Sequence, residues 1–296
     1  MGTPQPGIFA IGTPSHHHVE FDLDAGATPE QLLDAVRRSF DATGTVSGVN
    51  TVVGFRPSVW AAIAPDRIIE GVVDFEPVIG VDDYTMPATQ HDLWLWVHGA
   101  SVGANFDVAR AAARELSGVA HVVSEESCFG YGASQDLTGF EDGTENPSVA
   151  EAPAVAGAQQ GSSGSGTSVV LVQRWVHDLD AFGALDVSAQ EEIIGRTKSG
   201  SVELAADRQP PTSHVSRIVI ENGDGDELEV FRRSTPFGGV REHGLFFVGF
   251  AQDQTRLRRM LDRMAGVDDG IADRLTEFST PTSGSWYVAP TLEDLD

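Results

Sequence analysis

The chain is poor in cysteine, in basic residues and in long apolar runs. Among 296 residues there is one cysteine, Cys128, so no internal disulfide can form. That composition fits a reducing compartment. Only 19 basic residues stand against 44 acidic ones, a net charge of −25. Such a surface repels phosphate backbones and anionic lipid, so neither nucleic acid nor a membrane surface is expected as a partner. The acidity serves solubility or draws cationic small molecules. No stretch approaches the roughly 20 apolar residues of a membrane helix. The opening MGTPQPGIFAIGTP carries neither the basic segment nor the apolar run of a secretory leader. A cytoplasmic protein is predicted. What the chain does have is length and ordinary hydrophobicity, 41%. At this size about three quarters of the unfolded surface can be buried.

Each half reads as strand, helix, strand, strand, helix, strand. A strand over residues 19–23 precedes Thr28-Pro29-Glu30-Gln31, which reads as N-cap, N1 proline and capping-box partner. Leu32, Leu33, Val36 and Phe40 follow at helical spacing. Strands are predicted at 51–55 and 93–97, and a helix near 106–116 with Phe106, Ala109, Ala113 and Leu116 as its apolar stripe. HVVS, from His121, is a fourth strand. Residues 148–168 are rich in Ala, Gly, Ser and Pro and read as a linker or loop. The second half, 169–296, opens on SVVLVQRWV. It continues with a capping box from Ser188 to Glu191, strands HVSRIVI, ELEVFRRS and GLFFVGFA, a helix bearing Leu257, Met260, Leu261 and Met264, and a last strand, GSWYVAP. Two such units in tandem make an α+β fold of ferredoxin-like repeats, with the first ending at residue 147.

The densest run of special residues is GFEDGTENP, Gly139 to Pro147. It sets a carboxylate, Asp142, directly before Gly143, and Asp-Gly is a turn pair because glycine tolerates positive φ. Phe140 inside the turn and Asn146-Pro147 at its end suggest a loop held against the body of the protein. The GxxDG pattern, within this longer run, resembles the signature of dye-decolourising peroxidases, and most closely their short bacterial intracellular branch. The resemblance implies a duplicated ferredoxin-like fold, a dimeric α/β barrel-like arrangement, with haem b held mainly by the C-terminal half. It implies an enzyme that reduces hydrogen peroxide and oxidises dyes or other aromatic donors one electron at a time.

The resemblance also places residues. TSHVSR matches the segment that carries the family's axial iron ligand, which implies His214. In ELEVFRRS, Leu228 and Val230 share strand parity with Arg232 and Ser234. That pattern alone leaves Arg232 either turned inward or reaching water, with Arg233 on the solvated face. The family pattern places Arg232 and Ser234 above the haem with Asp142. Among Asp268, Asp269, Asp273 and Glu277, Asp273 best matches the acid behind the ligand. There it would accept the Nδ1 proton of His214 and enrich the imidazole in electrons. Phe246 and Phe247 are expected as pocket walls and Thr144 as a neighbour of Asp142. Arg196 and Lys198 either face propionates or neutralise a helix end. With an ordinary Asp pKa of about 3.9, Asp142 would be ionised at neutral pH, implying an acidic optimum.

Other histidines read as structural: the run His16, His17, His18 as a polar lead-in to a strand, and His98, His121 and His177 at strand ends. Trp175, Tyr131, Trp286 and Tyr287 are candidate electron relays or ordinary core. Family members assemble, which implies a homo-oligomer. The closing PTLEDLD lacks the tail that directs some members into protein shells, so an encapsulating shell is not expected. Alternative readings are an enzyme with the same motifs that oxidises porphyrinogens or releases iron, and a haem carrier, which would use His214 without needing Asp142 and Arg232 turned inward together.

Overall fold

The computed structural model describes residues 2–39 and 48–296. In the first half β1 (Ser15–Leu23) leads to α1 (Pro29–Ser39), β2 (Val49–Phe55) and α2 (Pro57–Ile63). A small ribbon of β3 (Val78–Ile79) and β4 (Thr85–Met86) precedes β5 (Leu93–Gly99), α3 (Val102–Leu116) and β6 (Ala120–Phe129). The second half begins with α4 (Ala152–Ala156), β7 (Ser168–His177), α5 (Leu179–Gly183), α6 (Val187–Ile194) and α7 (His214–Ile218). It ends with β8 (Phe231–Arg232), β9 (Thr235–Gly238), β10 (His243–Ala251), α8 (Gln254–Met264), β11 (Ser279–Pro281), β12 (Ser285–Ala289) and α9 (Leu292–Leu295). Among the described residues no helix is long and apolar enough to cross a membrane.

The strand order shows two ferredoxin-like units. The first lies as β2-β5-β1-β6 and the second as β12-β7-β10-β9, all antiparallel. Bridges Val288↔Phe55 and Cys128↔Phe237 join them, and the β7–β10 pairing completes a closed barrel-like sheet. Segment 148–168 carries α4, whose Ala152, Val155 and Ala156 are buried among the barrel residues.

Local chemistry accounts for the element starts. Thr28 and Gln31 form a reciprocal capping box, Thr28 N–H to Gln31 Oε1 at 2.9 Å and Gln31 N–H to Thr28 Oγ1 at 3.3 Å. Leu32, Leu33 and Val36 are buried as expected, while Phe40 lies outside the described residues. The apolar stripe of α3 differs from the sequence reading. The helix starts earlier, capped by Ser101, and buries Asn105, Ala109, Ala112 and Leu116. Phe106, one position off that row, is 51% exposed. Helix α6 is capped by Asp186, whose side chain accepts the Ala189 N–H at 2.9 Å, not by Ser188.

Because the sheet closes, both faces of most strands are covered. Inward residues include Trp94, Trp96, Phe246, Phe250 and Tyr287. The histidine run belongs to this interior: His16 and His18 are buried in β1, and the His18 ring lies 4.2 Å from Phe246. His98 stacks on Trp96 at 4.1 Å, and Trp96 Nε1–H donates to His16 Nδ1 at 3.1 Å. Burial lowers His16 to about 4 and His98 to about 3, so both are neutral at pH 7. The Tyr287 hydroxyl donates to Glu20 at 2.6 Å. Arg233, read from sequence as solvated, is also buried here. It lies 4.9 Å over the Trp96 ring and donates to the carbonyls of Ile8 and Ala10. The face opposite Arg232 is barrel interior, not water.

Candidate active site

On the outer face of β7 and β10, Gln173, Trp175, His177, Leu245 and Phe247 form the back wall of a cleft. Ile194, Ile218, Met260, Leu261, Met264 and Leu275 make it largely apolar. A second, more polar space of about 740 Å³ shares Asp142, His214 and Arg232 with it.

His214 is the first residue of a short helix, not of the strand that HVSRIVI suggested. Pro210 and Pro211 precede a turn in which Ser213 N–H bonds the Pro210 carbonyl at 3.0 Å. The Ser213 side chain then caps the helix through Ser216 N–H. His214 Nδ1 lies 2.6 Å from Asp273 Oδ2, and Asp273 is 1% exposed. The other oxygen, Oδ1, accepts Leu275 N–H at 2.9 Å. Held this way, the carboxylate fixes the Nδ1–H tautomer and leaves Nε2 as the free lone pair. Among the other three acids of that segment, Asp269 instead binds Arg217 through both oxygens, at 2.8 and 2.9 Å.

The other wall comes from GFEDGTENP and β8. Gly139 and Gly143 have φ of +85° and +73°, as the motif demands. Phe140 is buried against Phe182, Ile193 and Ile194, and Asp142 N–H bonds the Ser134 carbonyl at 2.9 Å. Asn146 joins this loop to β8: its Nδ2 donates to the Arg232 carbonyl at 2.8 Å and its Oδ1 accepts Arg232 N–H at 2.9 Å. Leu228, Val230 and Arg232 line the same space, as their parity predicts, although only Phe231 and Arg232 are strand there. Arg232 Nε is buried without a hydrogen-bond partner. Burial raises the Asp142 carboxyl above the ordinary range, Arg232 opposes the rise and Asp136 adds to it. The free-carboxylate value assumed from sequence is therefore too low.

The remaining expected residues divide. Thr144 and Arg196 line the polar space with Arg256, and Arg196 pairs with Glu145. Lys198 lies over Phe140, 5.3 Å from the ring centroid, and donates to Gln190 Oε1 at 2.6 Å. Phe247 lines the cleft, but Phe246 points into the barrel because neighbours on a strand face opposite ways. Ser234 adjoins a third space that contains Asp142 and Arg232 but not His214. Of the four aromatic relays considered, only Trp175 lines the cleft. Tyr131 is 44% exposed, Trp286 packs on Phe75, and Tyr287 is inside the barrel. The sequence reading missed Asn146 as the clamp on Arg232, and Asp136 and His177 as wall residues. Nothing in composition or periodicity marks them, apart from the closeness of Asp136 and Asn146 to the motif.

A largely apolar space lined by an Nδ1-anchored imidazole and by a buried guanidinium nitrogen without a protein partner fits a haem. Models of the N-terminal and C-terminal domains of Dyp-type peroxidases match residues 5–130 and 133–294. The chain belongs to the Dyp-type peroxidase family. It is a haem peroxidase. It is 35% identical to a dye-decolorizing peroxidase of Mycolicibacterium paratuberculosis, over 99% of this chain and 85% of that protein. A putative Dyp-type peroxidase from Shewanella oneidensis superposes with a TM-score of 0.92 at 27% identity, covering 100% and 98% of the two chains. A DypB variant from Rhodococcus jostii RHA1 in complex with heme gives 0.88 at 29% identity, covering 97% of each.

Proposed function

We propose that this Dyp-type peroxidase reduces hydrogen peroxide at the face of the cleft shared by Asp142 and Arg232 and oxidises dyes or small aromatic donors. The observation that carries this reading is the buried, unpartnered Arg232 Nε beside an Asp142 that shares its cavities with His214. Haem b, when bound, supplies the redox chemistry. His214 would hold its iron through Nε2, and Asp273 behind it makes that nitrogen a stronger donor. Phe247, Ile194, Ile218 and Leu261 would pack the porphyrin faces and edges. Arg196 and Arg256, near Thr144, would meet its carboxylates. Asp142 takes a proton from one peroxide oxygen and delivers it to the other. Arg232 balances the negative charge that develops as the O–O bond separates. Ser234 supplies a hydroxyl on the side from which the third space approaches these two groups. As part of the same proposal, the protein works in the cytoplasm and as a homo-oligomer, in keeping with its acidic surface and its one buried thiol.

Two measurements test the reading. Purified wild type shows a Soret band at one haem per chain, and His214→Ala loses or shifts it; an unchanged spectrum would remove His214 as ligand. In stopped-flow mixing with peroxide, Arg232→Ala slows the first spectral change by about a hundredfold to a thousandfold, the usual loss for one preorganised donor. Asp142→Ala slows it in the same assay, and wild-type rates in both variants would overturn the proposal.

A further inference from the structure

Asp136 and His177 face the same cleft as Asp142, yet neither has a part in the proton transfer just described. Asp136 closes the base of the loop. Its N–H donates to the Phe140 carbonyl, its carbonyl accepts Gly139 N–H, both at 2.9 Å, and its Oδ1 accepts Thr138 N–H at 2.8 Å. An isolated bridge between Gln135 and Glu141 and the bond from Asp142 N–H to Ser134 complete a tight ring around the carboxylate that bears the chemistry. Besides the Asn146 clamp on β8, a polar thread ties this ring to the barrel. Asp136 Oδ2 lies 3.1 Å from His177 Nε2 at the end of β7, and His177 Nδ1 lies 2.8 Å from Ser279 Oγ on β11.

The thread is buried, with Asp136 and His177 side chains 13% and 6% exposed. Burial alone would push the Asp136 carboxyl up, but the hydrogen bonds and charge of His177, with Thr138, outweigh it and hold the group below its ordinary range. Asp136 is therefore an acceptor on both oxygens, which places the imidazole proton on Nε2. The other ring nitrogen, Nδ1, meets the Ser279 hydroxyl at 2.8 Å. A pair hydrogen-bonded at both Asp136 oxygens and both His177 nitrogens is held in a defined geometry, which is what a positioning element requires.

We propose that Asp136 and His177, with Ser279 behind them, are positioning residues that hold the Asp142 loop at a fixed depth over the cleft. The proposal rests on the reading of Asp142 as the proton carrier. It assigns His177 no contact with peroxide. Its effect on the peroxide step passes wholly through Asp142.

A double-mutant cycle on the haem-loaded protein tests this. His177→Leu keeps the volume and removes both bonds. His177→Gln keeps a donor near the Nε2 position. The expected result is a Soret band unchanged in all variants, a peroxide step slowed about tenfold in His177→Leu, and recovery of most of that loss in His177→Gln. In the Asp142→Ala background His177→Leu changes nothing further. Amide exchange of the haem-free protein gives an independent reading: the Asp142 N–H loses protection in His177→Leu while β10 amides keep theirs. If His177→Leu does not fold, Ser279→Ala serves. It slows the step about threefold with Asp142 present and not at all with Asp142→Ala. Equal losses in both backgrounds would overturn the proposal. If Asp142→Ala alone leaves the peroxide step at the wild-type rate, the reading of Asp142 fails first and the positioning role falls with it.

Discussion

The two ferredoxin-like units use the outer faces of their sheets in opposite ways. In the first, Phe21, Val53, Leu95 and Val97 are covered by Leu32, Leu33 and Val36 of α1 and by Ala109, Ala112 and Leu116 of α3. Alanines let α3 sit close on the sheet, and these side chains pack into one buried cluster. In the second, the equivalent face of β7 and β10 presents Trp175, His177, Leu245 and Phe247 to a cleft. The chain that might have covered it is broken into α5, α6 and α7, with loops between, so the covering layer is lifted and perforated. The second sheet thus carries α8 and three short helices where the first carries α1 and α3.

That contrast can be tested first by deletion of methyl groups. Leu32→Ala empties a filled layer and should cost about 3–5 kcal/mol of stability, with haem uptake at the wild-type ratio; urea unfolding and a haem titration read the two effects. Leu261→Ala widens a wall that already borders a space, so its cost should fall near about 2 kcal/mol, while haem affinity drops. Equal stability losses with no change in haem affinity would mean that the two faces are alike.

The pH dependence of stability sharpens the difference between barrel interior and cleft. His16 and His98 are held at about 4 and about 3, below their unfolded value of about 6.5. Their contribution is complete above that unfolded value and is lost as pH falls from about 6.5 toward about 4. The slope is up to about 1.4 kcal/mol per pH unit for each histidine. His98→Asn should flatten this limb in acid unfolding. Asp142 acts with the other sign. Its raised pKa adds stability that is complete below the ordinary Asp value and is lost as pH rises through the folded one. Haem-free Asp142→Asn should therefore melt higher than wild type at pH 7, by an amount that vanishes below about pH 3.9. A melt that tracks wild type at both pH values would show the carboxylate to be solvated.

Strands and the α1 cap were legible because hydrophobic alternation and a Thr-x-x-Gln box are local signals. Parity grouped Arg232 with Leu228 and Val230, a periodicity that survives where formal strand pairing is short, but only the family resemblance turned it inward. His214 was legible as a residue and not as a helix start. Its β-branched neighbours Val215, Ile218 and Val219 favour strand, and the cap from Ser213 overrode them. Arg233 was misplaced because closure turns one face of the sheet into barrel interior, which is a long-range fact, and Phe246 because it alternates with Phe247 along the strand. Arg196 beside the site pairs with Glu145, 51 positions away, and Asn146 and Asp136 act through bonds to residues 86 and 41 positions away. No reading of spacing reaches such partners.

Asn146 grips both the N–H and the carbonyl of Arg232, so the acid-bearing loop and the guanidinium-bearing strand move as one body. Thermal motion then leaves their mutual spacing nearly constant. A graft of the loop into another scaffold without that amide would carry the carboxylate across and leave its partner behind.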